Sequence, residues 1–280
     1  KLTLGVASPL DTLAHRFTIS FLGVSLLSIL GFYKKGVNLK DILGILPLAA
    51  AYPVGFFTFQ IYGLIYISSS EAGIIQATVP VFTMILAAIF LKEKSTVLQK
   101  AALLLSVSGV IYIFAMQDGG LTTGKGTLLI VLSALSMASY GVMARVRTAK
   151  YQPMDLTYMM NSVGFICFNL LAIGNHLFNG TLGSYFSPLK EPLFLLAIFY
   201  LGIFASLGTS FLINYALSQL EASRMLVFGN LATVISMLAG VIFLEEKIEY
   251  FHVIGAIVIV GGVIGTNLFS EKEVVTNKNY

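Results

Sequence analysis

The chain is written as apolar stretches of about 18 to 25 residues separated by short polar turns, the length a helix needs to cross about 30 Å of hydrocarbon. That spacing constrains the fold more than any other feature. Of the 280 residues, 57% are hydrophobic and 11% charged, with a mean hydropathy of +0.88, whereas a soluble domain is about 25% charged. An all-α, polytopic membrane protein follows. A membrane barrel would show strands of alternating polarity over about 10 residues, which these runs are not. About nine runs are expected as helices, near 10–32, 41–67, 72–91, 97–116, 126–145, 153–177, 192–216, 223–244 and 250–270. The turns between them carry Lys34-Lys35-Gly36, Ser68-Ser69-Ser70 and Asp118-Gly119-Gly120, and the longer segment 175–192 is rich in Gly, Ser and Asn.

One phrase occurs twice. Phe90-Leu91-Lys92-Glu93-Lys94 and Phe243-Leu244-Glu245-Glu246-Lys247 each close an apolar run. Their offset of 153 residues also carries Tyr62-Gly63-Leu64 onto Tyr215-Ala216-Leu217, and Gly109-Val110-Ile111 onto Gly262-Val263-Ile264, which indicates an internal duplication. Pro9-Leu10-Asp11 pairs with Pro153-Met154-Asp155 at a shorter offset of 144, because the second half has the longer loop. The expected organisation is a first repeat over 1–118 with four helices, a second over 119–270 with five, and a polar tail over 271–280. With one further helix expected ahead of Lys1, five plus five makes a ten-helix protein whose repeats are inverted in the membrane. Lysine and arginine set the orientation. Twelve, among them Lys34, Lys92, Arg145 and Lys272, fall on one side, and Lys1, Arg16, Lys125, Lys190 and Lys247 on the other. The richer side is the cytoplasm, which puts the C-terminus inside.

These residues resemble the drug/metabolite transporter superfamily and, within it, the EamA-type bacterial transporters. The resemblance rests on the Leu-x-x-Glu-like helix ends around Leu91-Lys92-Glu93 and Leu244-Glu245-Glu246, on Pro80-Val81 in the same helix, on Arg16-Phe17 near the start of a span, and on Gly109-Val110 and Gly262-Val263 in the last helix of each repeat. Thr233 departs from the pattern, standing where the second proline would be. The resemblance implies a secondary transporter and favours efflux over uptake. It leaves the solute open among amino acids, metabolites and drug-like compounds.

A solute pathway needs polar groups inside apolar spans, where each is costly unless it faces the protein interior. Tyr52 and Gln60 lie in the run 41–67, where Pro47 and Pro53 free backbone carbonyls, and Gln76 lies in the next. Ser133, Ser136, Ser139 and Tyr140 fall on one helical face. Thr209, Asn214 and Asn230 complete the substrate-cavity candidates. Serine and threonine in membrane helices mostly bond their own backbone or permit close packing. Asparagine and glutamine are costlier to bury, so Asn214, Asn230 and Gln76 carry more weight. Arg16 and Asp11 are the possible charge partners. Arg16 is read first as a snorkelling or paired arginine at the outer interface, bonded to Asp11 one turn back, and second as the counter-charge of an anionic substrate. Asp11 and Asp155 read as helix N-terminal carboxylates. Glu93 and Glu246 sit at helix ends among lysines, where an ionised acid is comfortable, so they read as caps and anchors rather than proton carriers. A small-residue face, Gly255, Gly261, Gly262 and Gly265, is expected to hold the repeats together, with a dimer contact as the second reading.

Other classes find no support in the residues. No phosphate loop, HExxH or cysteine pair is present, Cys167 is the single cysteine, and His15, His176 and His252 are far apart in sequence. No cofactor, metal or nucleic-acid partner is expected, and no enzymatic activity. The expected partners are a small-molecule substrate and the lipid bilayer, with a proton as a possible coupling ion, for a monomer or a dimer. The competing reading is a membrane scaffold or sensor without transport, which would have a dry interior of large apolar residues.

Overall fold

The computed structural model describes residues 2–31, 39–67, 69–116, 124–232, 234–235 and 249–269. The second copy of the repeated phrase with Glu246, Thr233 and the tail from Glu271 lie outside the described residues. All regular structure among the described residues is helical: α1 (Pro9–Ile29), α2 (Leu39–Ala49), α3 (Phe56–Tyr66), α4 (Ser69–Gln76), α5 (Val79–Phe90), α6 (Val97–Met116), α7 (Lys125–Arg147), α8 (Pro153–Phe178), α9 (Pro192–Gly202), α10 (Thr209–Gln219), α11 (Ala222–Val227) and α12 (Tyr250–Leu268), with short 3₁₀ and π turns between some of them. Among the described residues, six continuous helical stretches are long and apolar enough to cross a membrane, at Pro9–Ile29, Gly44–Tyr66, Lys125–Arg147, Pro153–Phe178, Pro192–Gln219 and Tyr250–Leu268.

Local chemistry explains where these helices begin. Ser8 caps α1 by accepting from the Asp11 amide at 3.1 Å, with Pro9 in the first turn where its missing N–H costs nothing. Pro153 and Asp155 hold the equivalent first-turn positions at α8, whose N-cap Gln152 makes no side-chain cap bond. The run expected as one span over 72–91 is two helices, α4 and α5, because the chain turns at Ala77 and Thr78 and Pro80 sits in the first turn of α5.

Element boundaries recur at the offset found in the sequence. Adding 153 to α2 gives 192–202, which is α9, and adding it to α3 gives 209–219, which is α10. Helix starts and stops at these positions therefore keep the spacing of the repeated phrases. The chain forms two compact units, Lys1–Ser68 with Thr123–Leu220, and Ser69–Thr122 with Glu221–Tyr280. Each takes one piece from each half of the sequence.

In the first unit α1 lies along α8 and α3 along α7, around a core that includes Leu13, Phe17, Ile130, Leu156, Phe168 and Ile198. In the second, α6 lies along α12 over Leu103, Val107, Val110, Ile259 and Val263. Their backbones nearly touch. A Cβ on Gly109 would stand 3.0 Å from the Gly255 carbonyl oxygen, and one on Gly265 would stand 2.8 Å from the Ala102 Cβ. Gly255, Gly262 and Gly265 of the expected small-residue face therefore form a contact between α12 and α6, whereas a Cβ on Gly261 would meet nothing within 4 Å.

Candidate functional site

The first unit contains two helix breaks at matching positions. The stretch Gly44–Tyr66 is interrupted by a π-helical turn over Ala50–Gly55, within which Tyr52 is extended (φ −143°, ψ 122°) and the Tyr52–Pro53 peptide is cis. The stretch Pro192–Gln219 carries a π-helical turn over Ile203–Gly208, again displaced by 153 residues. Both turns fall near the middle of their spans. A widened turn puts carbonyl groups out of the ordinary helical ladder, and in a membrane each needs a protein partner. Ser133 Oγ on α7 donates to Phe56 O at 3.0 Å, and Arg16 Nη2 on α1 donates to Ala205 O at 3.0 Å.

A buried polar seam runs between the two breaks. The Tyr52 hydroxyl lies 3.4 Å from Ser210 Oγ, and its ring stacks on Tyr140 with centroids 4.8 Å apart. Tyr140 donates to Asn214 Oδ1 at 2.6 Å, and Asn214 Nδ2 donates to Thr157 Oγ1 at 3.1 Å. Asn161 extends the seam by donating to Thr157 O at 2.8 Å and accepting from Ser20. Tyr140 and Asn214 have no exposed surface. Each of these side chains has a hydrogen-bond partner, which is the condition for keeping a polar network in a low-dielectric interior.

Arg16 is the charged member. Its Nε donates to Ser206 Oγ at 2.6 Å, and its Cζ lies 4.1 Å from the Phe57 ring centroid. Gly202 brings α9 close enough for these bonds, since a Cβ there would stand 2.9 Å from the Arg16 carbonyl oxygen. Arg16 thus grips the middle of one span and overlies the middle of another. This corrects two sequence expectations. The side chain does not snorkel to an interface, and Asp11 has a different partner, with its Oδ1 3.0 Å from His176 Nε2.

The other candidates separate by location. Tyr140 and Asn214 join the seam, and Ser136 packs beside it, its Oγ 3.0 Å from where a Cβ on Gly55 would be. Gln60 is half-buried on α3. Thr209 is exposed and donates to Phe204 O at 3.2 Å, satisfying its own widened turn. Gln76 and Asn230 belong to the second unit, where Gln76 ends α4 and Asn230 donates to Ser106 Oγ at 3.1 Å.

A second polar cluster was hidden in the sequence because its members are about 165 residues apart. His15 and His176, distant along the chain, both pack on Tyr185, with ring centroids 4.7 and 5.6 Å away. His15 Nε2 lies 3.0 Å from Tyr185 O, His176 Nδ1 lies 2.8 Å from Thr181 Oγ1, and Tyr185 donates to Asn169 Oδ1 at 2.6 Å. The cluster ties the 179–191 loop to the start of α1 and the end of α8. Burial, aided by the nearby Asp11 carboxylate, pushes the Tyr185 phenol up to about 12. The only sequence signal was the presence of titratable residues at span ends.

Long apolar helices, some broken at mid-span and lined there with satisfied polar groups, define a multi-pass membrane protein of the transporter class. The chain belongs to the EamA-like transporter family, which it matches over residues 1–115 and 124–268. It is 48% identical over 275 residues to YcxC, an uncharacterized transporter of Bacillus subtilis, covering 98% of this chain and 88% of YcxC. An uncharacterized transporter of Archaeoglobus fulgidus is 28% identical over 270 residues, covering 94% of this chain and 90% of its own. A crystal structure at 18% identity gives a TM-score of 0.73 over 95% of this chain and 91% of its own, a likeness of fold.

Proposed function

We propose that the protein is a secondary transporter that moves a small organic solute across the plasma membrane by alternating access, with the C-terminus cytoplasmic. The observation that carries this reading is the pair of mid-span breaks, Ala50–Gly55 and Ile203–Gly208, joined by the Tyr52, Tyr140, Asn214 and Arg16 seam. Broken helices at a repeat junction are where secondary transporters place their solute and coupling-ion sites, because irregular backbone is tolerated at that depth only where protein or a cavity receives it. A dry scaffold has no use for such a seam. Export is the direction implied by the resemblance to drug/metabolite transporters, and the uneven distribution of lysine and arginine supports the orientation.

The test is solute flux in liposomes containing the purified protein, with a panel of amino acids, metabolites and drug-like compounds. Wild type is expected to move at least one, and Asn214→Ala to reduce that flux by about tenfold, since it strands the buried Tyr140 hydroxyl without its acceptor. Asn230→Ala, in the second unit, provides the matched comparison. Wild-type protein that moves no member of the panel overturns the proposal.

A further inference from the structure

We propose that Arg16 is the anchor for a carboxylate, so that the transported solutes are small organic acids with an apolar body. This deepens the transporter reading and rests on it. The first observation is depth. Arg16 bonds Ala205 and Ser206, near the midpoint of the span Pro192–Gln219, and overlies Phe57 near the middle of Gly44–Tyr66. A cation held there is costly, and such residues ordinarily pair with an acid or serve a substrate.

The second observation is the missing counter-charge. Among the described residues no carboxylate lies within ion-pair distance of Arg16, and the acid one turn back, Asp11, is engaged by His176. The third is unused donor capacity. The guanidinium presents five N–H groups. Among the described residues the hydrogen bonds of Arg16 come from Nε and Nη2, to Ser206 and Ala205. One Nη1–H and the second Nη2–H, parallel at the end of the fork, match the spacing of two carboxylate oxygens, which is why arginine rather than lysine serves planar bidentate recognition.

The neighbours define the rest of the ligand. Phe57 and Phe17 lie beside the guanidinium, their ring centroids 4.1 and 6.0 Å from Arg16 Cζ, and Tyr52 packs on Phe57 with centroids 5.2 Å apart. An aromatic wall beside a charged fork suits an apolar body carrying one acid. The competing role is purely architectural, with Arg16 serving only to satisfy the freed Ala205 carbonyl. The two roles differ in whether ligand charge matters.

The experiment compares acids with their uncharged amides. Binding to detergent-purified protein is read by thermal shift and titration with benzoate against benzamide, 4-methylvalerate against its amide, and L-phenylalanine against L-phenylalaninamide, with inorganic phosphate as a separate arm. Flux of the same compounds is measured in liposomes. The expected result is that at least one acid binds about tenfold or more tightly than its amide, and that Arg16→Gln removes this preference. Arg16→Lys is expected to keep part of it. Ser206→Ala, which removes only the Nε partner, is expected to keep most of it.

Equal binding of acid and amide, no acid binding by wild type, acid preference retained in Arg16→Gln, or response to phosphate alone each overturns the proposal. Should Arg16→Gln fail to fold, the wild-type preference and the Arg16→Lys and Ser206→Ala variants decide it. Acid binding without flux of any compound would overturn the transporter reading while leaving the anion site standing. Flux of a neutral solute unaffected by Arg16→Gln would do the reverse.

Discussion

Glu93 shows how a residue's chemistry depends on what the fold brings to it. Lys92, at φ 57°, adopts the left-handed conformation that ends α5, and the reversal carries the Glu93 carboxylate to the start of α11. There it accepts from the Ala222 amide at 3.3 Å and from Ser223 Oγ at 2.8 Å. The acid therefore caps a helix, as its setting among lysines suggested, but the helix is one of the other repeat. Glu93→Ala is expected to lower stability by about 1 kcal/mol in thermal unfolding. The pH dependence of liposome flux is expected to be unchanged, and a shifted profile would instead make Glu93 a proton carrier. At Tyr185 the sign of a pH effect follows from its raised pKa. The folded protein keeps the phenol protonated up to about pH 12, whereas an unfolded tyrosine ionises near pH 10. Stability linked to this group is complete below about pH 10 and declines as pH rises toward 12. Unfolding measured across that window should show a decline that is smaller in Tyr185→Phe. An identical decline in the variant would remove Tyr185 from the account.

Among elements, the tightest constraint is the contact of α6 with α12. A Cβ on Gly262 would strike the Ser106 backbone, which has no flexible tip to move aside, whereas one on Gly261 meets nothing within 4 Å. Gly262→Leu is expected to destabilise the protein by about 3 kcal/mol or to prevent its accumulation, and Gly261→Leu to be close to neutral. Comparable melting of the two variants would show that the helices separate without cost. The two π-helical turns belong to the same scale. Proline at 53 announces the first, but no proline marks the second, where Gly202 and Gly208 flank the turn and Arg16 donates to Ala205. A matching position with different local chemistry means that the widened turn is held by its surroundings as well as by its own residues.

In the whole molecule, the sequence halves and the compact units are different divisions. The duplication is read along the chain, since repeated phrases keep their spacing whatever the packing. The compact units instead combine 1–68 with 123–220 and 69–122 with 221–280, pairings that depend on which helix surfaces bury each other. The apolar period, the span lengths, the 153-residue offset and the glycine face were legible from residues alone, because solvent and close packing impose them directly. Tyr52, Tyr140 and Asn214 were legible as candidates, because a polar side chain in an apolar run needs a reason. Their partners were not, for Tyr140 meets Asn214 across 74 residues and Arg16 meets Ser206 across 190. Likewise His15, His176 and Asp11 became one cluster only when α1 and α8 came together around the 179–191 loop. The sequence by itself determined that this protein crosses a membrane as a duplicated helical chain, because hydrophobic length and repetition are properties of the chain. Only the tertiary structure decided that Arg16 serves the interior rather than the interface, because a charge's partners are set by the helices that pack around it.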